Sequence, residues 1–231
     1  MSALAPPGNT VSDRATVHVI DDDVSPREAL SLLFPSVGLD VRTYASVQQF
    51  LDAGAHDGPG CILLDVRLPG ISGLDFQSRR ARFGVHLPIV MMTGHGDVPM
   101  SVRAMKAGAV DFLPKPFRDQ DMIDAVTAAI ERDRERRAAD SAAADIRDRY
   151  ANLSPREKQV MALVTGGKMN KQVAFDLGLR AITVKTYRGA VMQKMGARTF
   201  ADLVRMADAL ALRGSLSVRP TPSGESTAAP Y

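Results

Sequence analysis

The sequence predicts an α/β domain built on a parallel sheet, followed by a small all-α domain. Across residues 16–130, short apolar runs of strand length alternate with helical patterns, which is the rhythm of repeated βαβ units. Residues 150–213 show helical periodicity only, and a charge-rich stretch at residues 131–149 separates the two regions. Five strands and five helices in the first region would form a flavodoxin-like (βα)5 domain.

Four apolar runs of the first region have the length and composition of buried strands. They cover residues 16–20, 61–64, 87–92 and 110–114. Helical patterns lie around them, at residues 25–37, 46–53, 73–82, 99–107 and from Asp119 onward. Because parallel strands bring their carboxyl ends to one edge of the sheet, the residues that follow each strand are expected to meet there.

A polar group stands at or just after the end of each of these strands. Asp21 and Asp22 follow the first strand, Asp65 the second, Thr93 the third and Lys115 the fourth. Carboxylates brought close together favour a hard divalent cation, and oxygen ligands suit Mg²⁺. A metal-held carboxylate beside a hydroxyl and an ammonium is suited to accepting a phosphoryl group. The sequence therefore predicts a Mg²⁺-dependent phosphoryl-accepting site.

Local signals delimit four helices in the second region. Ser154 and Glu157 have the spacing of a capping box, which starts the first helix. Asn170 is expected to cap the second helix, the third is predicted at residues 182–195, and the fourth begins at Thr199. Four short helices of this kind predict a compact helical domain.

The remaining segments are distinguished by their composition. Residues 1–15 are rich in proline and poor in large apolar side chains, which predicts a flexible leader, and residues 214–231 are predicted to be a disordered tail. Residues 131–149 pair opposite charges at i,i+3 and i,i+4, which favours a helical linker. A mobile tether is the alternative for that segment.

Charge is unevenly distributed along the chain, whose formal net charge is +3. Residues 16–130 carry 10 Lys/Arg and 14 Asp/Glu, a net charge of −4, whereas residues 149–214 carry 12 and 4, a net charge of +8. The second region is therefore the one expected to contact polyanions. The single cysteine and four scattered histidines exclude an internal disulfide and a zinc site.

No apolar run approaches the roughly 20 residues that a membrane-spanning helix requires. The first fifteen residues also lack the basic start and apolar centre of a signal peptide. These observations predict a cytoplasmic protein with no membrane partner.

Six residues of the first region resemble, in order and spacing, the receiver domain of two-component response regulators; they are Asp21, Asp22, Asp65, Thr93, Lys115 and Pro116. The resemblance implies that Asp65 is the phosphoacceptor. It implies that Asp21, Asp22, Asp65 and the backbone carbonyl of Arg67 hold Mg²⁺, which neutralises the reacting charges. Thr93 and Lys115 would bind oxygens of the phosphoryl group.

The resemblance also implies a conformational switch. Phe112 stands at the position of the family's switch aromatic, and Thr93 would move toward the phosphoryl group while Phe112 turns into the space that it leaves. A plain core aromatic is the alternative for Phe112. The family further implies a cis peptide bond between Lys115 and Pro116, and dimerisation of the phosphorylated receiver through its fourth helix, fifth strand and fifth helix.

The second region resembles the LuxR/NarL-type helix-turn-helix domain over nearly its whole length. The matching runs are LSPRE from residue 153, GKMNKQVA from residue 167 and TVK from residue 183. Together with the first region they resemble the FixJ/NarL family, and GHGDVPM from residue 94 and KAGAVDF from residue 106 resemble its FixJ branch. The resemblance implies binding to double-stranded promoter DNA.

Helical periodicity divides the third helix of this region into two faces. Val184, Tyr187, Val191 and Met195 are expected to face the domain core, and the opposite face is expected to enter the major groove. On that face Lys185 and Thr186 would contact bases or phosphates, and Gly189 leaves a gap. DNA contacts are also expected from Arg188 at the flank and from Lys171 at the start of the preceding helix.

Arg180 departs from the family, which usually has a capping pair ahead of Thr183. A missing N-cap typically costs about 1 kcal/mol of stability, and a cation at this helix end is unfavourable. Both losses would be recovered if Arg180 binds a DNA phosphate. The fourth helix carries Leu203, Met206, Ala207 and Leu210 along one side, and the family dimerises through this element.

These features predict a transcription regulator that is not an enzyme. A sensor histidine kinase would phosphorylate Asp65, and the phosphorylated protein would dimerise, bind promoter DNA and act on RNA polymerase. One alternative is a receiver-type regulator that works without phosphorylation. A less favoured alternative is a phosphatase that uses Asp65 as its nucleophile; many such enzymes have a second acid two residues later, where this chain has Arg67.

Overall fold

The computed structural model describes residues 14–54, 58–94 and 98–210, and the chain divides into two compact units at Ala138/Ala139. The predicted tail at residues 214–231, most of the predicted leader and residues 95–97 of the GHGDVPM run lie outside the described residues. Within the described ranges, no helix is both long and apolar enough to cross a membrane.

The first unit contains one parallel sheet of five strands, with the order β2-β1-β3-β4-β5. The strands are β1 (Thr16–Ile20), β2 (Asp40–Tyr44), β3 (Gly60–Asp65), β4 (Ile89–Thr93) and β5 (Asp111–Pro114). This order is the flavodoxin-like one, so the predicted fold class is confirmed. It places β1, β3, β4 and β5 side by side, with their carboxyl ends at one edge.

Helices follow the strands in alternation. They are α1 (Val24–Ser36), α2 (Val47–Asp52), α3 (Gly73–Arg79), α4 (Val98–Lys106) and α5 (Asp119–Ala151). The α-helix predicted at residues 73–82 is shorter than expected, because a 3-10 segment at Arg80–Phe83 replaces its last turn. Gly84 ends that segment with a φ of 69°, in the left-handed region that glycine adopts without strain.

The sheet is covered by apolar layers on both faces. In β3, Cys61 and Leu63 belong to one layer, whereas Ile62 and Leu64 belong to the other, as the two-residue period of a strand requires. Residues of α1 and α5 complete the first layer, and residues of α2, α3 and α4 complete the second. Since both faces are covered, β3 is apolar throughout until Asp65 ends it.

Helix α5 contains all of residues 131–149, the segment predicted to be a helical linker. Its buried face includes Met122, Val126, Ala129 and Ile130, which pack in the first apolar layer. The buried face also includes a carboxylate, Asp133, with no exposed surface. Nothing in the sequence pattern singled out that residue among the charges of this stretch.

The second unit contains the helices α6 (Pro155–Thr165), α7 (Asn170–Leu177), α8 (Ala181–Met195) and α9 (Phe200–Ala209). They enclose one apolar cluster, which includes Val160, Val173, Val184, Val191 and Leu203. The predicted capping boxes at α6 and α9 are both present. The expectation that Asn170 caps α7 is wrong, because Asn170 is the first helical residue and the side chain of Gln172 accepts from the N–H of Met169 at 2.8 Å.

Candidate functional site

The carboxyl edge of the sheet brings together two acids and one base from three strands. The ammonium of Lys115, just after β5, donates to Asp21 Oδ2 at 2.5 Å and to Asp65 Oδ1 at 2.8 Å. Asp21 follows β1 and Asp65 ends β3. Lys115 lies 94 residues from Asp21 and 50 residues from Asp65 along the chain, and the strand order brings the three side chains into contact.

This cluster is largely withdrawn from water. Asp21 is 1% exposed and Asp65 is 5% exposed. Burial raises the pKa of Asp21, and the hydrogen bond from Lys115 offsets only part of that rise. Burial by itself would lower the pKa of Lys115, but its hydrogen bonds and ion pairs with the two acids outweigh burial and raise it. Lys115 therefore remains an ammonium that compensates two buried carboxylates.

Thr93 and Phe112 lie at the same side of the sheet. Thr93 ends β4 and is 1% exposed, and its backbone carbonyl accepts from the N–H of Lys115 at 2.7 Å. Phe112 lies in β5, is partly buried, and packs against the apolar layer that contains Met91 and Ala104. The expected cis peptide bond between Lys115 and Pro116 is present.

The predicted metal ligands are only partly brought together. Asp21 and Asp65 both accept hydrogen bonds from the ammonium of Lys115, whereas Asp22 is exposed. Among the residues described, no three His, Cys, Asp or Glu side chains form a group that could hold a metal ion. The N–H of Arg67 donates to Asp65 Oδ2 at 2.7 Å, which holds the turn after β3 against the carboxylate. The predicted ligand set therefore remains a prediction.

Three residues that sequence reasoning did not assign support this cluster. Asp23 caps α1 by accepting from the N–H of Ser25 at 3.0 Å, a role that its place before a helix could have indicated. Arg27 donates to the backbone carbonyl of Asp21 at 2.5 Å. At Gly73, an added Cβ would lie 2.1 Å from the carbonyl oxygen of Asp65, so only glycine allows this approach.

The second unit presents the helix face that the sequence predicted. Val184, Val191 and Met195 of α8 are fully buried, and Tyr187 packs partly buried against the same cluster. The opposite face is exposed; it carries Ile182, Lys185, Thr186, Gly189 and Gln193. The hydroxyl of Thr186 donates to the carbonyl of Ile182 at 3.2 Å.

The other residues predicted to contact DNA differ in their exposure. Lys171 and Arg180 are exposed, and Arg180 occupies the N-cap of α8 without a capping hydrogen bond, as its sequence position implied. Arg188 is half-buried; its guanidinium lies 4.3 Å from the ring centre of Phe200 and 3.5 Å from Asn170 Oδ1. Arg188 thus links α8 to α7 and α9, so its guanidinium already has partners within the domain.

Helix α9 turns its apolar side toward the core of the domain. Leu203 and Ala207 have no exposed surface, and Met206 and Leu210 pack partly buried against the domain core. Leu203 and Ala207 therefore close the core of the small domain and are not available at the surface for the dimer contact that the resemblance implies for this helix.

Family models match both units. Residues 17–127 match the response regulator receiver domain, and residues 151–207 match the luxR family of bacterial regulatory proteins.

Two relatives and one solved structure are similar to this chain over most of its length. The chain is 56% identical over 201 residues to nodulation protein W of Bradyrhizobium diazoefficiens, covering 87% of this chain and 88% of the relative. It is 48% identical over 191 residues to the transcriptional regulatory protein FixJ of Azorhizobium caulinodans, covering 83% and 90%. The solved structure of the response regulator StyR superposes with a TM-score of 0.74 at 42% identity, covering 84% of this chain and 98% of that one.

Proposed function

This chain belongs to the response regulators that join a receiver domain to a LuxR-type DNA-binding domain, and from that premise we propose that phosphorylation of Asp65 controls its binding to promoter DNA. The observation that carries the proposal is the contact of one ammonium, that of Lys115, with both Asp21 and Asp65. A buried carboxylate held beside a cation at a strand end is prepared to receive a phosphoryl group.

The proposed reaction is transfer of a phosphoryl group from a phosphohistidine of a sensor kinase. A carboxylate oxygen of Asp65 forms a bond to phosphorus, and the bond from phosphorus to the histidine nitrogen breaks, with its electron pair returning to the imidazole. Lys115 would stay at the site and bind an oxygen of the transferred group, as Thr93 would through its hydroxyl. The product is an acyl phosphate on Asp65.

Mg²⁺ is the metal that this site would take. One ammonium compensates two buried carboxylates only in part, and burial still raises the pKa of Asp21. Such a pair of carboxylates is a donor set that suits a hard cation. Asp21, Asp22, Asp65 and the backbone carbonyl of Arg67 would hold it. When bound, Mg²⁺ neutralises charge on the carboxylates and on the arriving phosphoryl group.

The proposed switch follows from the position of Thr93 and Phe112. Thr93 is buried at the end of β4, and Phe112 is only partly buried on the adjacent strand, so a shift of Thr93 toward Asp65 would open space for the ring. The proposed consequence is dimerisation through α4, β5 and α5. Exposed Val102 and Met105 of α4 supply apolar surface on that side of the receiver.

The DNA-binding role rests on the exposed face of α8. Lys185, Thr186 and Gly189 would face the bases, while Lys171 and Arg180 would contact phosphates. We propose that the dimer binds a two-fold promoter site in the cytoplasm and acts on RNA polymerase. The guanidinium of Arg188 contacts Phe200 and Asn170 within the domain. We therefore propose that Arg188 holds α8 in position, in place of the phosphate contact expected from the sequence.

The decisive experiment follows phosphorylation and DNA binding together. Incubation with acetyl phosphate and Mg²⁺ should give one phosphorylated species on a phosphate-affinity gel and should extend the footprint on target DNA. Asp65→Asn should abolish both changes. Asp52→Asn, an exposed acid at the end of α2, is the matched control and should behave like the unmodified chain.

Two outcomes would contradict the proposal. Labelling of Asp65→Asn at the level of the control would remove Asp65 from the reaction. An identical footprint with and without acetyl phosphate, despite full labelling, would favour a regulator that works independently of phosphorylation. Steady-state turnover of a phosphomonoester would instead favour a phosphatase.

A further inference from the structure

A small cleft opens in the first unit at the edge of the sheet that lies away from Asp65. The residues before β4 and β5 contribute to its wall, together with the 3-10 segment after α3 and one turn of α5. Its volume is about 230 Å³, and its lining residues are Arg80, His86, Pro88, Gly108, Val110, Arg132, Asp133 and Arg136. Because these residues precede the strands, the cleft is separate from the phosphorylation site, whose groups follow the strands.

Basic side chains dominate this cleft. Three arginines and a histidine face one carboxylate, that of Asp133. Asp133 is already compensated: Arg136 lies 2.6 Å from its Oδ1, Arg137 lies 2.7 Å from its Oδ2, and the N–H of Gly60 donates to Oδ2 at 3.1 Å. Arg136, Arg137 and the N–H of Gly60 therefore already compensate the charge of Asp133. Arg80 and Arg132 form no ion pair with any residue in the described part of the chain.

Arg80 carries the clearest sign of a missing partner. Its Nη1 is buried and has no hydrogen-bond acceptor among the residues that the structure describes. Burial also lowers the pKa of its guanidinium. A guanidinium does not lose its proton in proteins, so a half-buried one without an acceptor is stabilised by an anion that brings acceptors with it.

The wall of the cleft beside Arg80 contains a glycine, Gly108, so no side chain covers the guanidinium there. Gly108 has a φ of +85°, and a Cβ at this position would lie 3.9 Å from Nη2 of Arg80. Glycine thus satisfies the turn after α4 and leaves this edge of the guanidinium uncovered. The cleft therefore combines a concave shape, excess positive charge and a guanidinium edge, at Nη2 of Arg80, that no side chain of residue 108 covers.

We propose that this cleft binds a small dianion of the phosphate class, either inorganic phosphate or a compact phosphate monoester. Arg80 and Arg132 supply the cations, and a planar guanidinium matches two oxygens of a phosphate group at once. The cleft volume is below the range of about 300 Å³ and more that is typical of pockets for drug-sized ligands, which favours a ligand of few atoms.

Binding there would join two segments of the receiver that lie far apart in the chain. Arg132 belongs to α5, whereas Arg80 belongs to the segment that follows α3. A dianion bound by both would hold α5 against the amino-terminal edge of the sheet. The proposed ligand is therefore a stabiliser of the receiver at a place distant from Asp65.

The test titrates the full chain, labelled with ¹⁵N, with inorganic phosphate at slightly alkaline pH, constant ionic strength and with EDTA present. Without Mg²⁺ the carboxylates of Asp21 and Asp65 repel a dianion, so the phosphorylation site does not compete. The amide signals of Gly108, Val110 and Arg132 should shift and saturate, with a dissociation constant below about 1 mM. Signals of α8 report any separate binding by the second unit.

Two substitutions and one control decide the assignment. Arg80→Gln and Arg132→Gln should each weaken binding by about 10-fold or more, because each removes one charge-assisted contact. Arg82→Gln, an exposed arginine of the same 3-10 segment, should leave the titration unchanged. Arg132 is exposed on α5, so its replacement tests the proposal even if Arg80→Gln disturbs folding.

The ligand class is tested by parallel titrations with O-phosphoserine and with acetate. Saturation by inorganic phosphate alone points to the free ion, and saturation by O-phosphoserine as well extends the site to monoesters; both results support the proposal. Equal affinity for acetate would overturn the dianion assignment. Shifts that grow without saturation, or that are the same in Arg80→Gln and Arg82→Gln, would overturn the site.

Discussion

The carboxylate of Asp133 accepts a hydrogen bond from the backbone N–H of Gly60 at 3.1 Å, which joins helix α5 to the first residue of strand β3. Both residues are buried, and Asp133 has no exposed surface. Strand β3 ends at Asp65, so the strand that carries the proposed phosphorylation site is fixed at its other end by the helix that leads out of the receiver. Arg136 and Arg137 compensate the buried charge.

Replacing Asp133 should therefore destabilise the receiver. Asp133→Ala leaves the N–H of Gly60 without its acceptor and removes the carboxylate that Arg136 and Arg137 share. Because the two arginines are about one third exposed, water would partly compensate them, and we expect a loss of about 2–3 kcal/mol. Hydrogen exchange at Gly60 and Cys61 measures this loss locally. Asp124→Ala, at an exposed position of the same helix, should change exchange at these amides little.

The ion pairs of Lys115 predict a dependence on Mg²⁺. Among the described residues, Lys115 is the only cation that forms an ion pair with the carboxylates of Asp21 and Asp65, so in Lys115→Gln the two buried carboxylates repel each other. We expect the free energy of unfolding of the receiver to fall by about 2–4 kcal/mol without metal. Since Mg²⁺ would replace the missing charge, its addition should raise the thermal midpoint of the variant more than that of the unmodified chain.

The same variant should also accept phosphate poorly. Loss of the ammonium removes a charge-assisted contact to the phosphoryl group, for which we expect a decrease in rate of about 10²-fold or more with acetyl phosphate. A normal labelling rate in Lys115→Gln, or an equal response of both proteins to Mg²⁺, would show that Lys115 does not act at this site. Lys106→Gln, an exposed lysine of α4, serves as the control.

In the second unit, Glu157 predicts how stability depends on pH. The hydrogen bond from Lys194 at 2.8 Å, assisted by the backbone N–H of Ser154 at 2.7 Å, holds the pKa of Glu157 below its usual value of 4.5. A folded-state pKa below the unfolded one means that the unfolded state binds more protons in this range. The stabilisation is present above pH 4.5 and is lost as pH falls through the lower folded-state pKa.

Glu157→Gln should remove that part of the pH dependence. The thermal midpoint of the DNA-binding domain, followed by circular dichroism in mild acid, should fall less steeply with decreasing pH in the variant than in the unmodified chain. At neutral pH the variant should be the less stable protein, because its amide cannot form an ion pair with Lys194. Parallel curves for the two proteins below pH 4.5 would refute this role.

The position of Arg180 predicts a change in the salt dependence of DNA binding. Arg180 is exposed at the N-terminus of α8 and makes no capping bond. If it contacts a phosphate, Arg180→Ala should weaken binding and reduce the slope of log K against log salt by about 1. Lys158 is a suitable control, since it is occupied by the carbonyl of Ala151 at 3.2 Å and by the ring of Tyr150. An unchanged slope in Arg180→Ala would exclude the phosphate contact.

The structure corrects the sequence-based expectations mainly where elements are short or half polar. The sequence patterns do not locate strand β2, because residues 40–44 form an edge strand in which only Tyr44 is buried, so they lack the apolar run that marks β3. The last turn predicted for α3 became a 3-10 segment. For α9, periodicity identified an apolar stripe but could not show whether a domain core or a second molecule covers it.

The sequence by itself determined the order of the elements, the fold class and the residues that stand at the strand ends, because burial on both faces of a parallel sheet leaves a local pattern of apolar runs and turns. It also placed Lys185 and Thr186 on the exposed face of a helix, through periodicity alone. Only the tertiary structure decided which side chains meet. The contact of Lys115 with Asp21 and Asp65, the burial of Asp133 beside Gly60, and the arginine cleft around Arg80 join residues far apart in the chain. Such contacts depend on strand order and helix packing, and no local pattern records them.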